Sequence, residues 1–141
     1  MKNVLFTLVI LVFVLQGCKK DDEIDPRDQF VGTWNVTQTI SITELGLLDN
    51  YEIVYTIKKD NLDKRKIIIF DGARDIMAIV DGNTYNCKYT VSLWDGSNTG
   101  TEEITSRGVI QDNKINETGT AQINMWGKSS NGIWSAVCTR K

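Results

Sequence analysis

Strict alternation of apolar and polar residues is the sequence feature that most limits how this chain can fold. The alternation is clearest in residues 85–93, where every second side chain is apolar or a cysteine. Successive side chains of a β-strand point to opposite faces, so this pattern predicts a strand with one buried face. The inward set of that strand is Tyr85, Cys87, Tyr89, Val91 and Leu93. After residue 29 the chain contains no convincing helical pattern.

Seven further segments give the same kind of signal, and turn residues separate them. Asp81-Gly82-Asn83 is typical of these separators and favours a tight hairpin. Eight short strands with short connections predict an all-β fold, an antiparallel up-and-down meander. Closing the meander into a small barrel would remove its exposed edges. The predicted strands cover residues 33–43, 51–58, 66–70, 76–80, 85–93, 102–110, 114–126 and 132–140.

Composition fits one such domain and argues against several classes of function. Residues 30–141 suffice for a single domain with its own core. They carry 12 Lys and Arg against 13 Asp and Glu, so no basic patch predicts a nucleic-acid partner. The chain has no histidine, the usual general base and zinc ligand. Glu102 and Glu103 are adjacent in a strand and point to opposite faces. We expect no catalytic residues, no metal and no cofactor.

The N-terminus carries a different kind of signal. A basic Lys2 precedes a run from Val4 to Leu15 that is apolar except for one threonine. This run is shorter than the roughly 20 residues that span a bilayer, and it fits the hydrophobic region of an export signal. Leu15-Gln16-Gly17-Cys18 then resembles the bacterial lipobox, in which a small residue precedes the cleaved bond and the cysteine thiol takes up a diacylglyceryl group. The resemblance implies a lipoprotein signal peptide over residues 1–17 and a lipid anchor on Cys18.

The segment after the anchor predicts where the protein resides. Residues 18–29 are almost all polar and contain the only proline, which indicates a flexible linker to a domain at 30–141. Lys19-Lys20-Asp21-Asp22-Glu23 resembles the export signal of Bacteroidetes-type lipoproteins. That resemblance implies an outer-membrane, cell-surface protein, whose membrane contact is the acyl chains (such as palmitate) on Cys18. A solvated linker that keeps the domain off the membrane explains the same residues, and the two interpretations are compatible.

The start of the first predicted strand carries a family signature. Gly32-Thr33-Trp34 resembles the G-x-W motif of the lipocalin and fatty-acid-binding (calycin) superfamily. In that superfamily the tryptophan plugs the closed floor of the barrel, and an arginine near the end of the last strand packs across it. The resemblance therefore implies a floor formed by Gly32, Trp34 and Arg140, with a cation–π contact between the last two. The second lipocalin signature is absent at Gln111-Asp112-Asn113-Lys114, so a short lipocalin-like barrel fits better than a true lipocalin.

The open mouth of such a barrel is where an apolar ligand enters in this family. A binding module for a small apolar ligand or a glycan at the mouth is one expected function. A structural or protein-interaction lipoprotein with a filled barrel, such as an accessory subunit of an outer-membrane complex, is the alternative. A pocket of about 300 Å³ or more would favour the first. The candidate ligand-binding residues, in or beside the longest predicted loops, are Leu47, Leu48, Trp94, Trp126 and Trp134.

The same mouth residues have a plainer interpretation as the cap of an ordinary packed core. Trp94 and Trp126 also fall out of phase with the inward residues before them, which favours an outward orientation. Outward tryptophans on loops would instead contact a partner such as an envelope protein or a glycan.

Two cysteines remain within the predicted domain. Cys87 and Cys138 fall toward the floor end, and an exported protein meets an oxidising compartment. One alternative is a disulfide that closes a loop of 51 residues. It would require a flattened barrel, because the fifth and eighth strands are not neighbours. The other alternative is two buried free thiols that pack as small apolar residues.

Overall fold

A computed structural model of the chain describes residues 24–42, 47–94, 96–125 and 127–141. Each strand pairs antiparallel with the next, and the last pairs with the first, so the sheet closes into an up-and-down barrel. The predicted fold class is confirmed. Among these residues no helix is long and apolar enough to cross a membrane. The strands are β1 (Gly32–Ile42), β2 (Leu47–Lys59), β3 (Lys66–Phe70), β4 (Asp75–Asp81), β5 (Thr84–Trp94), β6 (Thr99–Gln111), β7 (Lys114–Met125) and β8 (Lys128–Arg140).

Three strands begin three or four residues earlier than the sequence predicts, all at the same end of the barrel. β2 begins at Leu47 instead of residue 51, β6 at Thr99 instead of residue 102, and β8 at Lys128 instead of residue 132. Serine, asparagine and glycine between 129 and 132 favour a turn in isolation. Pairing overrides that preference, because the register with β7 continues without a break to Met125 and Lys128.

Two of the turns at the opposite end are tight, as predicted, and join β4 to β5 and β6 to β7. Asp112 and Asn113 adopt left-handed conformations, with φ of 49° and 61°. Asn and Asp tolerate this region best among non-glycine residues, and two such residues make the type I′ hairpin that matches strand twist. Gly82 has φ 55° in the hairpin between β4 and β5.

We call the end of the barrel that holds the β1 start the floor, and the other end the mouth. The inward side chains of the floor half are fully buried, as in Trp34 and Ile115 at 0 % exposure. Those of the mouth half are mostly only half-buried, as in Tyr89 and Leu93. The core therefore sits toward the floor. Its largest fully buried side chains are Trp34, Tyr85, Phe30, Ile57, Ile67, Ile69, Ile115, Val36 and Cys138.

Part of the predicted flexible linker, residues 24–29, is fixed to the barrel, whereas residues 18–23 lie outside the described residues. Residues 26–30 form a turn, in which the Phe30 amide donates to the Arg27 carbonyl. Arg27 is buried, and its Nη1 donates to the carbonyls of Asp60 and Asp63 at 3.0 and 3.1 Å. The composition of this segment is polar, but one arginine and one phenylalanine are enough to fix it to the barrel. The ordered domain therefore extends N-terminal to residue 30.

Candidate functional site

The floor of the barrel is closed by Trp34 and the chain segment before it. The Trp34 ring is fully buried, and its Nε1 donates to the Phe30 carbonyl at 2.8 Å. The guanidinium carbon of Arg140 lies 4.4 Å from the centre of the Trp34 ring. The contact that the G-x-W resemblance implies is therefore present. Phe30 packs edge-on against Tyr85, with ring centres 5.5 Å apart.

Arg140 ties the floor to the incoming chain through hydrogen bonds. Its Nη2 donates to the Gln29 carbonyl at 2.7 Å, and its Nη1 donates to the Val31 carbonyl at 2.9 Å. Its Nε donates to Asn113 Oδ1 at 2.9 Å. A charged donor with several fixed acceptors is a strong anchor. The last strand thus holds the first strand and the β6–β7 turn together.

Gly32 is required at the floor for two physical reasons. Its φ is 138°, a conformation that side-chain-bearing residues rarely adopt. A Cβ at this position would also lie 2.9 Å from Arg140 Nη1. The three predicted floor residues therefore form one unit, in which the glycine leaves room for the arginine that covers the tryptophan.

The mouth residues singled out from the sequence divide into different environments. Leu48 and Trp94 lie in β2 and β5 and are 70 % and 74 % exposed. Trp94 thus faces outward, as its phase predicts. Trp134 is buried and faces inward. Trp126 and the side chain of Leu47 lie outside the described residues. The structure does not gather the described members of this set into one ligand site.

Among the described residues, a small pocket with a volume of about 110 Å³ lies inside the mouth. Gln38, Tyr89, Glu102 and Trp134 are among its lining residues. Burial raises the pKa of Glu102, and the charge of Arg74 acts in the opposite direction. A pocket of this size is well below the 300 Å³ or more that drug-sized ligands need. Within the part of the chain that the structure describes, inward side chains occupy most of the barrel interior.

A larger depression, which we call the wall groove, lies on the outside of the barrel with a volume of about 620 Å³. Outward side chains of adjacent strands line it in two cross-strand rows. One row runs from Asn86 through Arg107, Thr118 and Ser135 to Thr39. The second row consists of Thr105, Thr120, Ile133 and Ser41. Serine and threonine are the commonest lining residues, with one guanidinium and one exposed isoleucine, and carbon atoms form most of the exposed lining.

Glycine allows the aromatic side chains beneath this wall to pack closely. A Cβ on Gly119 would lie 2.4 Å from Trp134 Nε1 and 2.8 Å from the Thr105 carbonyl oxygen. A Cβ on Gly108 would lie 2.3 Å from the Tyr85 ring. Both glycines pair directly across the ladder with the aromatic residue that covers them. Such pairs fix the register of the sheet.

A buried polar cluster crosses the interior, and sequence analysis missed it. Ser106 Oγ donates to Glu117 Oε1 at 2.7 Å, and the Cys87 thiol lies 2.9 Å from Ser106 Oγ. Glu117 is 3 % exposed. Burial raises the pKa of Glu117 to about 6, and hydrogen bonding to Ser106 and Tyr85 opposes that rise. The signal was available, because Glu117 occupies an inward position of the period-two pattern of β7.

The two domain cysteines are free thiols, so the disulfide alternative is not realised. Both are buried, on β5 and β8, with two strands between them on the shorter path around the barrel. Burial raises the pKa of Cys87 to about 11 and that of Cys138 to about 12. A closed barrel keeps these strands apart, and the thiols pack as small core residues. Within the described ranges, no three Cys, Asp or Glu side chains are placed to hold a metal ion.

Comparison with known proteins adds information on the fold. No protein-family model matches the chain, and none of the curated proteins matches its sequence. A solved structure from Nostoc punctiforme, a protein of unknown function from the DUF3598 family, is similar with a TM-score of 0.50 and 16 % sequence identity. The likeness covers 81 % of this chain and 48 % of that one, so this chain spans about half its length. At this identity the similarity concerns the fold alone.

Proposed function

We propose that this chain is an outer-membrane lipoprotein anchored through Cys18, with a non-catalytic barrel that acts by contacting a macromolecular partner. The observation that carries the proposal is the filled interior, whose mouth pocket measures only about 110 Å³. A lumen of that size leaves no room for carriage of an ordinary apolar ligand. The interaction surface is then the outside of the barrel. The lipobox and the charged segment after it support the anchor.

The mouth rim is the first candidate for the contacting surface. Trp94 and Leu48 are among the most exposed large apolar side chains of the described residues. Exposed tryptophans are enriched among the residues that dominate protein interfaces. A lipoprotein that serves as an accessory subunit of an envelope complex would use such side chains as anchors. This surface points away from the end where the chain enters from Cys18.

Native mass spectrometry of the protein purified from its own host tests whether the barrel carries a bound ligand. We expect a mass equal to the acylated chain alone under conditions that preserve non-covalent ligands. A stoichiometric apolar molecule that dissociates on denaturation would contradict the proposal and favour the alternative function of carrying an apolar ligand.

The mass of the N-terminal peptide tests the anchor in the same sample. That peptide should begin at Cys18 and carry acyl chains, whereas an unmodified chain with residues 1–17 attached would refute the anchor.

Glycan binding is a second candidate, and the wall groove specifically favours it. Hydroxyl and amide side chains in two cross-strand rows, together with Arg107, provide the polar groups that sugar hydroxyls bind. Titration of the protein with host surface glycans, followed by amide NMR shifts, tests this function. Binding should shift residues of β6, β7 and β8 around Thr118, and Thr118→Val should weaken it. Shifts confined to the mouth rim would contradict a wall site.

A further inference from the structure

We infer that the loop between β2 and β3, which we call the floor loop (residues 60–65), contacts an anionic lipid surface. This inference rests on the lipid anchor proposed above and deepens it. Leu62 at the tip of the floor loop is 97 % exposed, and Ile24 is 86 % exposed. They are the two most exposed large apolar side chains among the described residues. Both lie at the floor, the end at which the chain arrives from Cys18.

The floor loop holds Leu62 outward by a rigid framework. The Leu62 amide donates to Asp60 Oδ1 at 2.8 Å, and the Arg65 amide donates to Asp63 Oδ1 at 2.9 Å. The buried Arg27 guanidinium donates hydrogen bonds to the carbonyls of Asp60 and Asp63 and so holds the loop backbone in place. These hydrogen bonds fix the loop backbone that carries Leu62, and the Leu62 side chain faces solvent at the floor end of the barrel.

Ile24 belongs to the same surface. The adjacent Asp25 accepts from Lys59 Nζ at 2.9 Å and pairs with Arg27 at 2.7 Å. These ion pairs place the end of the incoming chain beside the floor loop. Two exposed apolar side chains thus flank one charged site, which is the composition of an interfacial membrane contact.

The ordered segment before β1 shortens the tether and so forces this surface toward the membrane. Only five residues, 19–23, separate Cys18 from Ile24. Fully extended, the six Cα–Cα steps between them reach about 20 Å. A lipidated Cys18 lies at the membrane surface, so Ile24 stays within that distance of the headgroups. A flexible linker up to residue 29 would have allowed roughly twice the separation.

Charge favours the same orientation. Residues 58–66 carry five Lys or Arg against two Asp. Lys58, Lys64 and Arg65 are exposed, and the one carboxylate near Arg65 is 3.8 Å away. The mouth end is acidic instead, with Asp71, Asp75, Glu102 and Glu103 against Arg74 and Lys128 in and beside its turns. Lysine and arginine side chains close to an anionic membrane surface are attracted to it. An anionic surface therefore draws the floor toward it and repels the mouth.

Site-specific probes on the lipidated full chain test the inference. An environment-sensitive fluorophore is attached at Leu62→Cys in one variant and at Ala73→Cys, an exposed mouth residue, in the other. Cys87 and Cys138 are buried and Cys18 is acylated, so the label goes to the new thiol. Both variants are reconstituted in phosphatidylcholine vesicles with and without phosphatidylglycerol. Bromine-labelled acyl chains quench any probe that enters the membrane interface.

The floor probe should shift to the blue and be quenched several-fold more than the mouth probe, most strongly with phosphatidylglycerol. Lys64→Glu with Arg65→Glu should remove most of the phosphatidylglycerol dependence, and so should high salt. Lys128→Glu, a matched change at the mouth, should leave it unchanged. An acylated protein whose Leu62 probe is no more quenched than the Ala73 probe would overturn the inference and leave the anchor intact. A chain that lacks acyl groups on Cys18 would overturn both.

Discussion

The floor and the mouth of this barrel are built from the same eight strands, but they are stabilised very differently. At the floor, inward side chains are fully buried, and Arg140 and Arg27 hydrogen-bond to backbone carbonyls of distant segments. At the mouth, inward residues such as Tyr89 and Val91 are half-buried, and large apolar residues such as Trp94 face solvent. Stability is thus concentrated in one half of the molecule. The other half carries exposed side chains such as Trp94, which belong to the surface that we propose contacts a partner.

Replacing one tryptophan at each end of the barrel should give the largest difference in the free energy of unfolding. Trp34→Ala should lower the free energy of unfolding by about 4 kcal/mol, because it removes a fully buried indole and leaves a cavity beneath Arg140. Trp94→Ala should change it by less than about 0.5 kcal/mol, because that indole is mostly solvated. Urea denaturation of both variants measures the difference. Equal losses would mean that the mouth is as tightly packed as the floor.

Gly119 allows the Trp134 indole to pack directly against the sheet. Gly119→Ala should cost about 3 kcal/mol, because the new methyl would meet the indole and the fixed carbonyl of Thr105. Adding Trp134→Phe should recover part of that loss, since a smaller ring frees space at Gly119. The free energies of unfolding of the two single variants and the double variant test this. Strict additivity would show that the ring and the glycine do not contact each other.

Glu117 makes the stability of the floor half depend on pH. The folded protein binds this proton more tightly than the unfolded chain, because burial raises the pKa from 4.5 to about 6. The resulting stability is fully present below pH 4.5 and is lost as pH rises through 6, by about 2 kcal/mol. The phenols of Tyr55 and Tyr85 and the thiols of Cys87 and Cys138 face this carboxylate and stay neutral in that range.

Comparison with Glu117→Gln isolates this effect. The raised pKa of Glu102 contributes a pH dependence of the same sign from the mouth, and it persists in the variant. Chemical denaturation between pH 4 and pH 7.5 should show a shallower decline for Glu117→Gln than for the natural chain. Identical slopes would place the ionised Glu117 in a solvated environment, contrary to its burial.

Much of the fold was predictable, because it depends on local periodicity. Alternation set the number and order of the strands, and Asp112-Asn113 marked a hairpin through its turn chemistry. The G-x-W resemblance pointed to Trp34 and Arg140, which do meet. Arg27 was not predictable, because a polar segment gives no sign that one arginine will be buried against loop carbonyls 33 and 36 residues away.

The candidate sites were harder to predict for a related reason. The wall groove depends on which outward residues become neighbours across five strands, and that register is a property of the closed sheet. The free state of Cys87 and Cys138 likewise depends on barrel closure, which separates two strands that a flattened sandwich would bring together. Glu117 could have been placed inside by its phase, but its partner Ser106 lies on another strand.

Hydrogen exchange resolved along single strands tests the contrast between floor and mouth most directly. Amides of Val36 and Cys138, at the floor ends of β1 and β8, should exchange only through global unfolding. Amides of Val91 and Glu102, at the mouth ends of β5 and β6, should exchange at least about 100-fold faster through local opening. Equal protection along the whole length of these strands would contradict the account, because stability would then be spread evenly through the barrel.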